Sequence, residues 1–222
     1  MKSLYILLAF IIAATLANAQ DKKYLKTMES SIPAIFQAEN TDALDATANK
    51  FDRIGQAESD QWEPYYYSSL SYVFKAFKID DLQAKDQVLD QALVALGKAA
   101  TLSENNSEII ALQGFINMIK IGVDPGTRGQ TLSPKIMADF SKALKLDPNN
   151  PRANLFMGQM LFGTAQFFGT GVGDACALVD KSLALFESEK PESTIAPSWG
   201  LYSANQYKQQ CESALTKAES QE

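Results

Sequence analysis

The chain has 222 residues, 46% of them apolar and 21% charged, with a formal net charge of −6. That apolar share is ample for a packed core, and a mildly acidic chain with Lys and Arg scattered among acids has no electrostatic footprint for nucleic acid or for anionic lipid. There is no histidine, which excludes His-based triads, His general bases and most catalytic zinc sites. The acids are spread along helices without a clear constellation, so the chain reads as a non-enzyme with no metal site and no cofactor.

At the N-terminus, Lys2 precedes an apolar stretch from Leu4 to Leu16 that ends in Ala17-Asn18-Ala19, a small-x-small pattern of the kind a signal peptidase cuts after. Residues 1–19 are expected to be a signal peptide and 20–222 a single helical domain beginning at Gln20. The stretch is shorter than the roughly 20 residues a spanning helix needs, and Asp21, Lys22 and Lys23 follow at once. No integral membrane segment is therefore expected after cleavage, and no Cys follows the cut to carry a lipid. Export to the periplasm or the cell exterior is the expectation.

From Lys23 onward, apolar residues recur at three- and four-residue steps among Ala, Leu, Gln, Lys and Glu, and runs of β-branched alternation are absent. The pattern predicts an all-α chain. In the aromatic run from Trp62 to Phe77, Tyr65, Tyr66 and Tyr67 are consecutive; a helix turns about 100° per residue, so they cannot all face one core. Asp80-Asp81 reads as a solvated turn. Helix starts are predicted at Asn106 before Ser107-Glu108, at Ser133-Pro134 and at Asn150-Pro151, where a capping side chain precedes the first turn. The run Gly122-Val-Asp124-Pro-Gly-Thr-Arg128-Gly has too few carboxylates at alternate positions for a calcium loop. It reads as an ordered insertion in which Arg128 anchors to an acid or a carbonyl.

Further on, Phe167-Phe168-Gly169-Thr170-Gly171-Val172-Gly173 is glycine-rich but follows a helix and lacks the Lys-Ser or Lys-Thr pair of a phosphate loop. The expectation is a tight loop, with Asp174 capping the next helix and Phe167 and Phe168 packed against neighbouring repeats. Glu187 to Pro197 has the composition of a surface loop. Cys176 and Cys211 lie about equally far on either side of it, so antiparallel helices would set them side by side for a disulfide; two buried free thiols are the alternative. Neither has a neighbour that would activate a thiol.

Laid against itself, the chain has a period of about 44 residues. Phe140, Ala143 and Gly158 repeat Leu96, Ala99 and Gly114, and a looser copy places Phe51, Ile54 and Ser69 in the same roles. The run from Phe140 through Ala143, Leu144, Pro148 and Pro151 to Gly158 and Leu161 resembles the junction of two tetratricopeptide repeats. Ala92, Leu96, Ala99 and Gly114 match less fully, with Glu104 in place of the junction Pro, and Ser69 with Tyr72 less again. The resemblance is clearest over 41–186, and the whole chain is similar to the exported tetratricopeptide proteins of Bacteroidota, hence of a Gram-negative bacterium.

That resemblance implies an α-α superhelix, a solenoid of about four helix pairs in which Gly or Ala on one helix admits a bulky side chain of its neighbour. The period exceeds the usual length of about 34, and the surplus falls at Phe77–Lys85, Gly122–Ser133 and Phe162–Gly173, either as inserted loops on one edge or as lengthened helices. It also implies a concave groove lined by Tyr66, Leu70 and Val73, then Ala111, Phe115 and Met118, then Leu155, Gln159 and Phe162. The expected function is protein–protein interaction, with an unidentified protein or apolar peptide held in that groove or by the inserted loops. The alternative is a structural or assembly factor of the cell envelope whose groove is filled by its own chain.

Overall fold

The computed structural model describes residues 21–220, and every described element is helical. The predicted signal segment lies outside the described residues. In chain order the helices are α1 (described over 21–31), α2 (Pro33–Gln37), α3 (Thr41–Ala57), α4 (Glu63–Phe77), α5 (Leu82–Leu102), α6 (Ser107–Val123), α7 (Pro125–Leu146), α8 (Pro151–Phe168), α9 (Gly173–Ser188) and α10 (Leu201–Glu219). Consecutive helices pack as antiparallel pairs, and the fold is a tetratricopeptide-like α-α superhelix.

Most helix starts follow from a short polar side chain that accepts an otherwise unpaired N–H of the first turn. Asn40 accepts from Ala43 N–H at 2.9 Å, Asp81 from Ala84 N–H at 2.7 Å, and Asn150 from Ala153 N–H at 2.8 Å. Asn106 accepts from both Glu108 and Ile109, as its position in the sequence predicts. The predicted start at Ser133-Pro134 does not exist. α7 begins at Pro125 under the cap of Asp124, and Pro134 lies inside it. The carbonyl that Pro134 leaves without an N–H is that of Gln130, and both residues are exposed, so water can satisfy it. The Ser133 hydroxyl donates back to the Gly129 carbonyl at 2.6 Å.

The same helix disposes of the predicted insertion there. Of Gly122–Ser133 only Asp124 is non-helical, of Phe77–Lys85 only residues 78–81, and of Phe162–Gly173 only 169–172. The long period thus goes mainly into longer helices, 21 residues in α5 and 22 in α7. Arg128 is on α7 and makes both predicted kinds of contact, donating in fork fashion to Asp86 of α5 at 2.6 and 2.7 Å and to the Lys120 carbonyl of α6 at 3.2 Å. Lys120 in turn bonds Asp86 and Asp90 at 2.8 and 2.6 Å. Three helices are pinned by this cluster.

Two apolar cores follow one another along the stack. The first is built on Met28, Phe51, Tyr67, Leu70, Leu89 and Leu96, the second on Phe140, Phe156, Val179 and Phe186, and Phe115 of α6 touches both. The small residues of the repeat do what the pattern demands. A Cβ on Gly114 would lie 2.4 Å from the Phe140 ring of the paired helix, and one on Gly158 would lie 3.0 Å from the Ala175 carbonyl oxygen. Phe167 and Phe168, by contrast, do not pack against neighbouring repeats; they are 82% and 71% exposed. Ala165 takes the inward position on that turn. Asp174 sits in the first turn of α9, whose cap position is Val172.

Gly114→Ala overpacks the α6–α7 seam and should lower stability by about 1–3 kcal/mol, whereas Gly97→Ala, in an exposed stretch of α5 with nothing within 4 Å of the new methyl, should raise it by up to about 1 kcal/mol. Thermal melting of the two variants checks the contrast. A second prediction concerns Asp86, whose carboxyl Arg128 and then Lys120 hold down at about 2, below its ordinary 3.8. That stabilisation is complete above the ordinary value and is lost as pH falls towards 2, so acid titration of stability should show a step between about pH 4 and 2 that Asp86→Asn lacks.

Candidate functional site

The first helix of each pair presents one stripe to the inner side of the stack. On α4 the stripe runs Tyr66, Leu70, Val73; on α6 Ala111, Phe115, Met118; on α8 Leu155, Gln159, Phe162. The fold brings these nine residues onto adjacent helices, but not as an open groove. Tyr66, Leu70, Val73, Ala111, Leu155, Gln159 and Phe162 are buried, and Phe115 and Met118 are half-buried.

What covers them is the chain itself. Residues 189–200 leave α9, cross the inner side and enter α10, and this strap reaches both cores: Ile195 is buried in the first, and Trp199 packs against both. The Trp199 indole N–H donates to the Tyr66 hydroxyl at 3.0 Å, and the Tyr67 hydroxyl donates to the Ile195 carbonyl at 2.9 Å. α10 continues the cover over α8, with Tyr207 edge-on to Phe162 and Ser203 beside the Gln159 amide. A disulfide between Cys176 and Cys211 joins α10 to α9, with Cα atoms 5.5 Å apart.

One cation organises the polar part of this cover. The Arg152 side chain of α8 is 2% exposed. It donates to Glu108 of α6 at 2.6 Å, to Glu189 of the strap, and to the strap carbonyls of Pro197 and Trp199 at 2.9 and 2.8 Å. Asn150 donates to the other Glu108 oxygen at 2.7 Å. Burial works against the guanidinium charge, but the facing carboxylate of Glu108 outweighs it and holds its pKa above the ordinary value. Burial also pushes the Tyr66 hydroxyl well up, with the Glu108 charge adding to it. Tyr66 therefore serves as a neutral hydrogen-bonding group.

Beyond the strap the inner side stays open and aromatic. Ring centroids run from Phe36 to Phe74 at 5.2 Å, Phe74 to Phe77 at 6.2 Å, and Phe77 to Phe115 at 6.2 Å. Phe115 stacks flat on Phe156 at 4.1 Å, and Phe156 meets Trp199 at 6.0 Å. Phe36 and Phe77, at the open end, are 46% and 54% exposed. Sequence reasoning missed Phe36, and it marked the aromatic run from Trp62 to Phe77 without singling out Phe74 or Phe77. Phe77 was legible, because it continues the α4 stripe by one more turn after Val73; Phe36 sits on a five-residue helix too short to show a period. Among the described residues no group of His, Cys, Asp and Glu could hold a metal ion, and no helix is long and apolar enough to cross a membrane.

Removing Arg152 would leave Glu108 buried without its cation. Arg152→Ala should cost about 3–5 kcal/mol in urea unfolding, and Arg152→Lys should restore only part of it because an ammonium cannot fork. A loss below about 1 kcal/mol would show that strap and carboxylate are held by other means.

No family model and no curated protein sequence matches the chain. Among solved structures it is similar to the HusA haemophore from Porphyromonas gingivalis, with a TM-score of 0.75 and 27% identity, covering 86% of this chain and 93% of that one. It is also similar to a thermophilic TPR protein in Thermus thermophilus, with a TM-score of 0.51 and 16% identity over 84% of each chain. The second likeness bears on the fold alone. The chain is a tetratricopeptide-like helical protein that resembles proteins of Bacteroidota; of the two neighbours, one is a haemophore and the other a TPR protein.

Proposed function

We propose that this chain is an exported binding protein whose ligand is a flat apolar ring system of the porphyrin class, haem foremost, seated on the open end of the aromatic ladder. The carrying observation is the continuous ring series from Phe36 through Phe77 to Phe115, left half-exposed where the strap ends. Planar ligands recover stacking and apolar burial on such a face, about 0.5–1.5 kcal/mol per aromatic pair beyond area alone. The likeness to a haemophore over most of both chains supports the same reading. The signal-like segment at residues 1–19 and the disulfide favour an oxidising compartment, the periplasm or the cell surface.

Haem would be cargo here, and the chain's chemistry favours holding the ring over gripping the iron. There is no histidine, both cysteines are bonded to each other, and the thioether on the inner stripe, Met118, is half-buried beside Phe115. Metal-free protoporphyrin should accordingly bind within a few-fold of haem.

The peptide-groove reading fits this geometry less well, because seven of the nine groove residues are buried, Tyr66 against the strap and Gln159 and Phe162 against α10. The envelope assembly reading expects a groove filled by the chain itself, and the strap and α10 are in keeping with that part of it. The reading assigns the protein no catalytic step.

Absorbance and fluorescence-quenching titrations test the proposal. Phe36→Ala with Phe77→Ala should weaken porphyrin binding at least about tenfold, with helicity and melting retained, while Phe167→Ala with Phe168→Ala should leave it unchanged. Unaltered affinity in the first pair would sink the assignment of the site.

A further inference from the structure

One helical turn after Phe162, α8 presents Gln166 to a seam with α10, whose own stripe there runs Gln206, Gln210 and Lys217 at spacings of four and seven. Between the two helices lies a cleft of about 360 Å³, with the nearly buried Phe162 as its apolar lining. The disulfide at Cys211 and the ion pair of Lys208 with Asp180 fasten α10 to α9. Both walls of the cleft therefore belong to fixed helices.

Four carboxamides stand in these walls, those of Gln166, Gln206, Gln209 and Gln210, and none of them hydrogen-bonds another described residue. Elsewhere on α10 the polar groups are paired: the Asn205 amide donates to the Leu201 carbonyl at 3.0 Å, and Lys208 meets Asp180 at 2.7 Å. Of the residues that line the cleft, only Lys217 is charged.

A carboxamide donates and accepts without carrying charge. Four of them, converging from two helices on an apolar lining, suit a ligand that is uncharged, donates and accepts at closely spaced atoms, and has C–H surface between those atoms. A pyranose ring has this chemistry, with hydroxyls round its rim and carbon on its faces. A phosphate-bearing ligand would need more cations than Lys217 supplies, and a porphyrin carries too few hydrogen-bonding atoms to engage the four amides.

We propose that the cleft between α8 and α10 is a saccharide-binding site that takes a short neutral sugar. Gln166 and Gln210 hold rim hydroxyls from opposite walls, Gln206 and Gln209 flank them, and Lys217 donates to one further oxygen. The site shares no residue with the ring series from Phe36 to Phe115 and does not rest on the porphyrin reading.

Nitrogen-edited NMR of the mature protein, titrated with maltose, cellobiose and diacetylchitobiose, tests this. At least one of the three should shift the side-chain amide resonances of Gln166 and Gln210 saturably. Substitutions at exposed positions such as these usually leave stability unchanged. Gln166→Ala with Gln210→Ala should therefore keep its melting temperature and bind the sugar at least about tenfold more weakly, while Gln91→Ala on α5 should bind it as wild type does. Porphyrin affinity should be the same in the double variant as in wild type, and a parallel fall would overturn the assignment of a separate site. The proposal is also refuted if none of the three sugars gives a saturable shift, if the shifts centre away from α8 and α10, or if the double variant retains its affinity.

Discussion

A guanidinium cannot shed its charge inside a protein, so a buried one dictates what surrounds it. Arg152 is such a group, and its donors are met by two carboxylates and two main-chain oxygens drawn from α6 and from the strap. Satisfying it requires the segment after α9 to turn back over the inner side of the stack. Once that segment is there, Ile195 and Trp199 bring the two cores under one cover, and the groove that a tetratricopeptide stack would offer is closed over most of its length. The strap is thus tied to one buried cation as well as to the hydroxyls of Tyr66 and Tyr67.

The rest of the architecture supplies the frame in which Arg152 can be buried. Gly114 and Gly158 let paired helices approach closely, and capped N-termini keep the long helices in register. The cluster of Asp86, Asp90, Lys120 and Arg128 ties α5, α6 and α7 together. A frame fixed in this way holds Phe36, Phe74, Phe77 and Phe115 at ring-contact spacing without any of them being sunk fully into the core. Binding proteins need apolar surface that folding has not already consumed, and here the strap covers one end of the inner side while the other keeps its rings partly in water.

The departures from expectation have local causes. Helix-start chemistry at Ser133-Pro134 is indistinguishable by residue type from that at Asn150-Pro151, yet only the second is preceded by a chain that has left the helix; at Pro134 an exposed carbonyl makes a proline tolerable in mid-helix. The surplus residues of each repeat have helical composition themselves, and a turn as short as Asp124 suffices between α6 and α7, so they lengthen helices rather than form loops. Phe167 and Phe168 follow the last inward position of α8 and have no facing helix. Their hydrophobicity alone did not reveal this.

By itself the sequence determined the helical class and the pairwise packing, because these rest on spacings of three, four and about 44 residues that helix geometry and close packing make visible in one dimension. Only the tertiary structure decided that the expected groove residues are mostly buried and that Tyr66 meets Trp199, because residues 189–200 are an irregular chain without a period whose partners lie as many as 133 positions away. For the same reason the role of Arg152 was illegible: one arginine in a repeat junction carries no sign of burial until the carboxylates and carbonyls of other segments are brought to it.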